Sequence, residues 1–128
     1  MKKLTLIFTL VFTVMFSTNS FAEWTKVSES ARGIMYVNLE RIRKHDGYVY
    51  VWMLGDYKKP SNTGVSSAKT YNQCDCRVYR FKILSQSFYT ERMGKGERKF
   101  NTNTPDKEWT YPEPNSGFDY ALNMVCSN

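Results

Sequence analysis

Seven residues from Tyr48 to Leu54 (Tyr-Val-Tyr-Val-Trp-Met-Leu) run without a polar break. Aromatic and β-branched side chains fill the run, and the Asp46-Gly47 pair just before it is a turn signal. Such a stretch reads as a strand inside a sheet. With no polar face of its own, it is expected at the centre of that sheet and covered on both sides. One cover must come from elsewhere in the chain; a homodimer would supply the other.

The rest of the chain is consistent with one β-rich domain. Its 128 residues suit one core and leave little room for two. A content of 16% aromatic residues is too rich for disorder, and seven Gly with four Pro are too few for a collagen-like chain. Trp24–Val27 and Ile34–Val37 are short strand candidates around a polar turn. Leu39–Lys44 reads as one helical turn or a polar connection. Val65–Tyr71 reads as a more polar strand near an edge. Arg77–Leu84 alternates, with Tyr79, Phe81 and Ile83 on one face and Arg80 and Lys82 on the other. Lys58–Gly64 and Met93-Gly94-Lys95-Gly96 carry turn chemistry. Residues 100–110 are polar and hard to read, although Trp109 must be held by something apolar.

The last element is a helix. Ser116 is a good N-cap, and Asp119 three residues on makes a capping-box-like pair at the positive end of the helix dipole. Phe118, Ala121, Leu122 and Val125 form one apolar stripe. About ten residues are too few to persist as a helix alone in water, so this stripe must lie on the sheet.

Residues 1–22 stand apart from this domain. Lys2 and Lys3 precede an apolar run from Leu4 to Phe16, and Ser20-Phe21-Ala22 forms an A-x-A-like site. These are the parts of a cleavable signal peptide, with the cut between Ala22 and Glu23. The run is shorter than the roughly 20 residues that span a bilayer, so no stable membrane insertion is expected after cleavage. The domain is then residues 23–128, exported, periplasmic or secreted. Without Lys2 and Lys3, sixteen Lys and Arg face twelve Asp and Glu. That surplus is too modest for a nucleic-acid partner in an exported chain.

Export makes disulfides the default reading of cysteine. Cys74 and Cys76 sit two apart, which makes a bridge between them awkward on a strand. The bridge therefore runs from one of them to Cys126. Closing that loop would constrain the unfolded chain by roughly 4 kcal/mol.

Taken in order, Trp24, Met35-Tyr36-Val37, Val51-Trp52-Met53-Leu54 and Asp56-Tyr57 are followed by Ser66-Ser67, Tyr71 and Asp75-Cys76. Tyr79-Arg80-Phe81, Ile83, Met93-Gly94-Lys95-Gly96, Trp109, Pro114-Asn115-Ser116 and Val125-Cys126 complete the series. This ordered set resembles the bacterial surface-adhesin protein E family across the whole of residues 23–128. The resemblance implies an antiparallel sheet of about six strands, with a C-terminal helix packed on one face and tied by a Cys76–Cys126 disulfide. A regular strand would put Cys76 on the Arg80 and Lys82 face, so a bend or bulge near Cys76 is needed. The resemblance also implies an exported, non-enzymatic binding protein for a host extracellular-matrix protein or plasminogen. Two features depart from the family pattern: Cys74 is extra, and no lipid-attachment Cys lies near the cleavage site. Surface display therefore does not carry over.

The residues themselves offer three candidate sites. Basic clusters at Arg41, Arg43, Lys44, at Lys58, Lys59, and at Arg92, Lys95, Arg98, Lys99 lie in or beside turns, where binding residues gather. Heparin-like glycans or acidic stretches of host matrix proteins would suit them, but Glu40, Asp46, Glu91 and Glu97 interrupt the runs, which favours a solvated surface. Tyr48, Tyr50 and Trp52 share one strand face and could form a carbohydrate platform; in so small a sheet, core is the expected role. His45, the single histidine, could act with Glu40 or Asp46 but has no Ser or Cys partner in view. No catalytic set, metal site or cofactor is read from the sequence. The alternative to an adhesin is a periplasmic inhibitor of a hydrolase such as lysozyme.

Overall fold

The computed structural model describes residues 23–128. The signal-peptide reading, with Ala22 before the cut, falls outside the described residues. Seven antiparallel strands form one sheet: β1 (Thr25–Glu29), β2 (Gly33–Val37), β3 (Arg43–His45), β4 (Tyr48–Tyr57), β5 (Ser67–Asp75), β6 (Arg80–Tyr89) and β7 (Arg98–Thr102). They lie in the order β1-β2-β4-β5-β6-β7, and β3 shares an edge of β4 with β2. One helix, α1 (Gly117–Cys126), follows. The expected strand in Tyr48–Leu54 is thus the long central β4, flanked on both sides.

Strand parity divides the sheet into two faces. Val37, Val51, Met53, Cys74 and Phe81 face the helix and are buried with Ala121, Leu122 and Val125. Phe118 stacks on Phe81 with ring centroids 4.5 Å apart and planes 4° from parallel. The helix begins as its sequence predicts, with the Ser116 hydroxyl accepting from the Asp119 amide at 3.2 Å. It ends at the Cys76–Cys126 disulfide, which joins residues 50 apart in sequence. Cys74 is buried on the helix side as a free thiol, and desolvation pushes its pKa up to about 12.

Several expectations are corrected. Arg77–Leu84 is not one strand: residues 76–79 form a tight turn, with Tyr79 at φ 60°, and β6 starts at Arg80. The turn resets the alternation and removes the conflict over Cys76. Buried Asp75 holds it, accepting from the amides of Arg77 and Val78 and from Arg80 Nε at 3.0 Å. The polar strand runs over Ser67–Asp75 rather than Val65–Tyr71, and it lies between β4 and β6 rather than at an edge. Leu39–Lys44 becomes both a 3-10 turn (Leu39–Arg41) and strand β3. Asp46 and Gly47 both take positive φ (52° and 81°) in the two-residue hairpin to β4, the geometry that an Asp-Gly pair supplies. Residues 106–110 run beside β6, with paired hydrogen bonds of 2.9 Å between Phe81 and Thr110.

The largest correction concerns β4. The helix covers only its Val51 and Met53 side. Tyr48, Tyr50 and Trp52 lie on the other face, half-buried against neighbouring rings instead of inside the core. Among the described residues one α-helix lies on the sheet, so the second face is roofed only in part, by Trp109 over Tyr48 and by the Arg92–Gly94 loop at Asp56.

An aromatic and cationic sheet face as the candidate functional site

The face opposite the helix is assembled from even-numbered positions of β4 and their cross-strand partners. Tyr71 of β5 stands beside Trp52, with ring centroids 4.9 Å apart, and Tyr50 lies 6.2 Å from the same ring. Tyr48 stacks on Trp109 at 5.6 Å. The Arg80 guanidinium at 4.4 Å and the Lys82 ammonium at 4.8 Å from the ring centre also lie over Trp109. These spacings suit aromatic pairs and cation–π contact. Trp109 is thus held, as expected, by an apolar neighbour, although it lies on the open face.

A cavity of about 240 Å³ lies at the other end of the row. Trp24, Trp52 and Tyr89 give it aromatic walls, Arg41, Lys69 and Arg98 give it positive charge, and Glu23 adds one carboxylate to the lining. The Lys69 ammonium lies 6.0 Å from the Trp24 ring centre and 5.4 Å from that of Tyr89. Asn38, which is 3% exposed, also lines the cavity, and its Oδ1 has no hydrogen-bond partner among the described residues. A smaller cavity of about 200 Å³ lies between Arg43, His45, Tyr50 and Tyr71. Among the described residues no salt bridge engages Arg41, Arg43, Lys69, Lys82 or Arg98.

The loop after β6 closes one end of this face. Buried Asp56 accepts hydrogen bonds from Arg92 Nε at 2.9 Å and the Met93 amide at 2.8 Å, and it pairs with Arg92 Nη2 at 2.8 Å. Ser67 Oγ donates to the Glu91 carbonyl and accepts from the Gly94 amide. Gly94, at φ 69°, passes so close to Lys69 that an added Cβ would sit 2.5 Å from Lys69 Cε. The loop thereby confines the Lys69 side chain.

The residues singled out from sequence are dispersed. Arg41 and Arg43 reach the two cavities of the open face. Lys44 pairs with Val49 in the β3–β4 register and points its ammonium toward the Asn128 carbonyl, 3.5 Å away. Lys58 forms an ion pair of 2.9 Å with Glu29 near the far end of β4, and Lys59 is exposed in the turn beyond it. Lys69, Arg98 and Tyr89 carry much of the site, and sequence reasoning missed Lys69 and Tyr89 because neither belongs to a basic cluster or to the aromatic row of β4. The signal for Lys69 was positional: in the β4–β5 register it precedes Tyr71 by two residues, one full strand repeat, on the same face. His45 is exposed beside exposed Asp46, 3.2 Å away, with no nucleophile attached. Among the described residues no group of three or more His, Cys, Asp or Glu could hold a metal ion, and no helix is long and apolar enough to cross a membrane.

The architecture defines a small antiparallel-sheet domain with a disulfide-tied C-terminal helix on one face and an aromatic, cationic opposite face. The profile of the surface-adhesin protein E family matches residues 24–127, and the chain belongs to that family. The fold is also that of solved structures of Haemophilus influenzae protein E. One shares 17% identity at a TM-score of 0.65, covering 86% of this chain and 88% of that one. Protein E from non-typeable Haemophilus influenzae shares 18% identity at a TM-score of 0.64, covering 87% and 80% respectively. No curated protein sequence matches the chain.

Proposed function

We propose that the chain is an exported, non-enzymatic binding protein that grips a protein of the host extracellular matrix, or plasminogen, through the open sheet face. In this reading a signal peptide is cut between Ala22 and Glu23, and the domain acts in the periplasm or after secretion. The observation that carries it is the asymmetry of the sheet. One face is sealed by a disulfide-tied helix, while the other presents aromatic rings with Arg41, Arg43, Lys69, Lys82 and Arg98 free of salt bridges among the described residues. Family membership supports an adhesin-like role. The disulfide suits an oxidising compartment. Unpaired cations attract acidic segments over a distance, and half-buried aromatic rings then supply contact area.

Binding of oxidised residues 23–128 to immobilised vitronectin, laminin and plasminogen tests this reading, with a similarly basic unrelated domain as control. Saturable binding that survives physiological salt and weakens in Arg41→Gln and Arg43→Gln variants is the expected result. Binding no stronger than the control, or abolished by salt, overturns the adhesin reading. Tight one-to-one capture of lysozyme in its place would identify an inhibitor.

A further inference from the structure

We propose that the Trp24–Trp52–Lys69 cavity is a subsite for a sulfated linear polysaccharide, an inference that rests on reading the open face as the binding surface. Three chemistries meet in the cavity. Arg41, Lys69 and Arg98, with no salt bridge among the described residues, outnumber the one carboxylate in the lining, that of Glu23, and leave the cavity positive. Trp24, Trp52 and Tyr89 supply flat apolar walls. The Asn38 Oδ1, unpartnered on a residue 3% exposed, and the Ser87 hydroxyl supply hydrogen-bonding capacity.

A sulfated pyranose answers all three at once. Its C–H face stacks on an aromatic ring, its sulfates pair with guanidinium and ammonium groups, and its hydroxyls donate and accept. An acidic peptide brings charge but no rigid ring face for each charge. An unsulfated sugar brings the ring face and leaves the surplus of three cations over the Glu23 carboxylate unanswered.

The second cavity makes the case for a polymer. It repeats the pattern, with Arg43 beside Tyr50 and Tyr71, and the Trp52 and Tyr71 rings that separate the two lie only 4.9 Å apart. A ligand in which charge and ring alternate fits two such cells in series. Confinement of Lys69 between Gly94 and two aromatic rings leaves less rotamer freedom to lose on binding.

The test is titration of oxidised residues 23–128 with a heparin-derived hexasaccharide, its desulfated counterpart, an oligoglutamate of equal charge and a single-stranded oligonucleotide, followed by calorimetry at several salt concentrations. Tightest binding is expected for the sulfated hexasaccharide. Lys69→Gln should weaken it about tenfold and reduce the salt slope by about one. Trp52→Ala should weaken it by a similar factor while leaving the slope unchanged. Lys59→Gln, the same charge change in the turn beyond β4 and outside the lining of both cavities, should leave affinity within about twofold. Circular dichroism melts establish that each variant is folded. The inference is overturned if the oligoglutamate or the oligonucleotide binds as tightly, if desulfation has no effect, or if Lys59→Gln matches Lys69→Gln. Matrix-protein binding by the same variants separates this inference from the reading beneath it. Loss of matrix binding in Trp52→Ala with no hexasaccharide binding by the native protein sinks the polysaccharide subsite alone. Unchanged matrix binding in Trp52→Ala and Lys69→Gln sinks the open face as the binding surface.

Discussion

The Tyr79 hydroxyl donates a hydrogen bond of 2.6 Å to Asp119 Oδ1 and lies 2.9 Å from the carbonyl oxygen of the same residue. One contact thus ties the turn before β6 to the first turn of α1, at the opposite end of the helix from the disulfide. The Tyr79 bond, and after it the Asn115 amide, hold the Asp119 carboxyl below its ordinary range. Burial first, and Asp119 second, push the phenol up to about 12.

Both shifts predict how stability varies with pH, with opposite signs. Asp119 binds its proton more weakly folded than unfolded, so its contribution is complete above the ordinary carboxylate range near pH 4 and is lost as pH falls through the lower folded value. Asp75 acts in the same direction: burial raises its pKa, but Arg80 and the Val78 and Arg77 amides outweigh that. Tyr79 holds its proton more tightly folded, so its contribution is complete below about pH 10 and is lost toward pH 12. Urea midpoints measured across pH should fall at both ends. Tyr79→Phe should lower the neutral midpoint and flatten the alkaline limb; an unchanged alkaline limb would assign that loss to other tyrosines.

The three cysteines should separate cleanly by reactivity. With its pKa pushed up to about 12 and no exposure, Cys74 is almost wholly protonated at pH 8, roughly one thiolate in ten thousand. A thiol reagent should find no rapid site in the native protein, one in urea, and three after reduction. A rapid native thiol would mean that Cys74 takes part in exchange with the disulfide. Cys126→Ser should cost about 4 kcal/mol, the loop-closure value for residues 50 apart.

The fold was legible where a residue pattern has a single physical cause. The unbroken β4 run, the Asp46-Gly47 hairpin and the Ser116–Asp119 cap each read directly from sequence. Strand β7 (Arg-Lys-Phe-Asn-Thr) did not, because an edge strand in solvent needs no apolar alternation, and its burial is slight. The start of β6 was misplaced for a different reason: the turn at residues 76–79 is fixed by the buried Asp75 carboxylate, whose partners are two amides of the turn and the side chain of Arg80 just after it. The site was half legible. Tyr48, Tyr50 and Trp52 share a face as their spacing requires, yet spacing does not say whether a helix covers that face. Arg41 and Arg43 lie within the basic cluster read from sequence, whereas Lys44, their neighbour, is turned away by strand alternation.

The loop over the open face should respond to two substitutions in different ways. Arg92→Gln removes the charged partner of buried Asp56 but leaves the Met93 amide in place; with Arg92 half exposed, about 1–2 kcal/mol should be lost. Hydrogen exchange should quicken at Met93 and Gly94 while the β4 amides stay protected. Gly94→Ala strains a residue at φ 69° and drives a methyl group against Lys69 Cε. It should cost a further 1–2 kcal/mol, as an estimate of about that size for a left-handed alanine, and should weaken binding at the Lys69 cavity. Retained affinity in Gly94→Ala would show that Lys69 is not a contact.

The two faces of the sheet separate stability from binding, and one pair of variants measures the division. Leu122 is fully buried on the helix side, so Leu122→Ala should cost about 2–5 kcal/mol, set by the lost methyl groups and the cavity left behind. Its side chain is far from the open face, so the folded fraction should bind with unchanged affinity. Trp52 is half-buried and keeps one side against Tyr71, so Trp52→Ala should cost less, about 1–3 kcal/mol, roughly half of a fully buried aromatic truncation. Its ligand affinity should nonetheless fall about tenfold, because large aromatic side chains at the centre of a contact dominate its energy. Chemical denaturation and calorimetric titration of both variants give the four numbers. The opposite pattern, with binding lost in Leu122→Ala and kept in Trp52→Ala, would move the functional surface to the helix side.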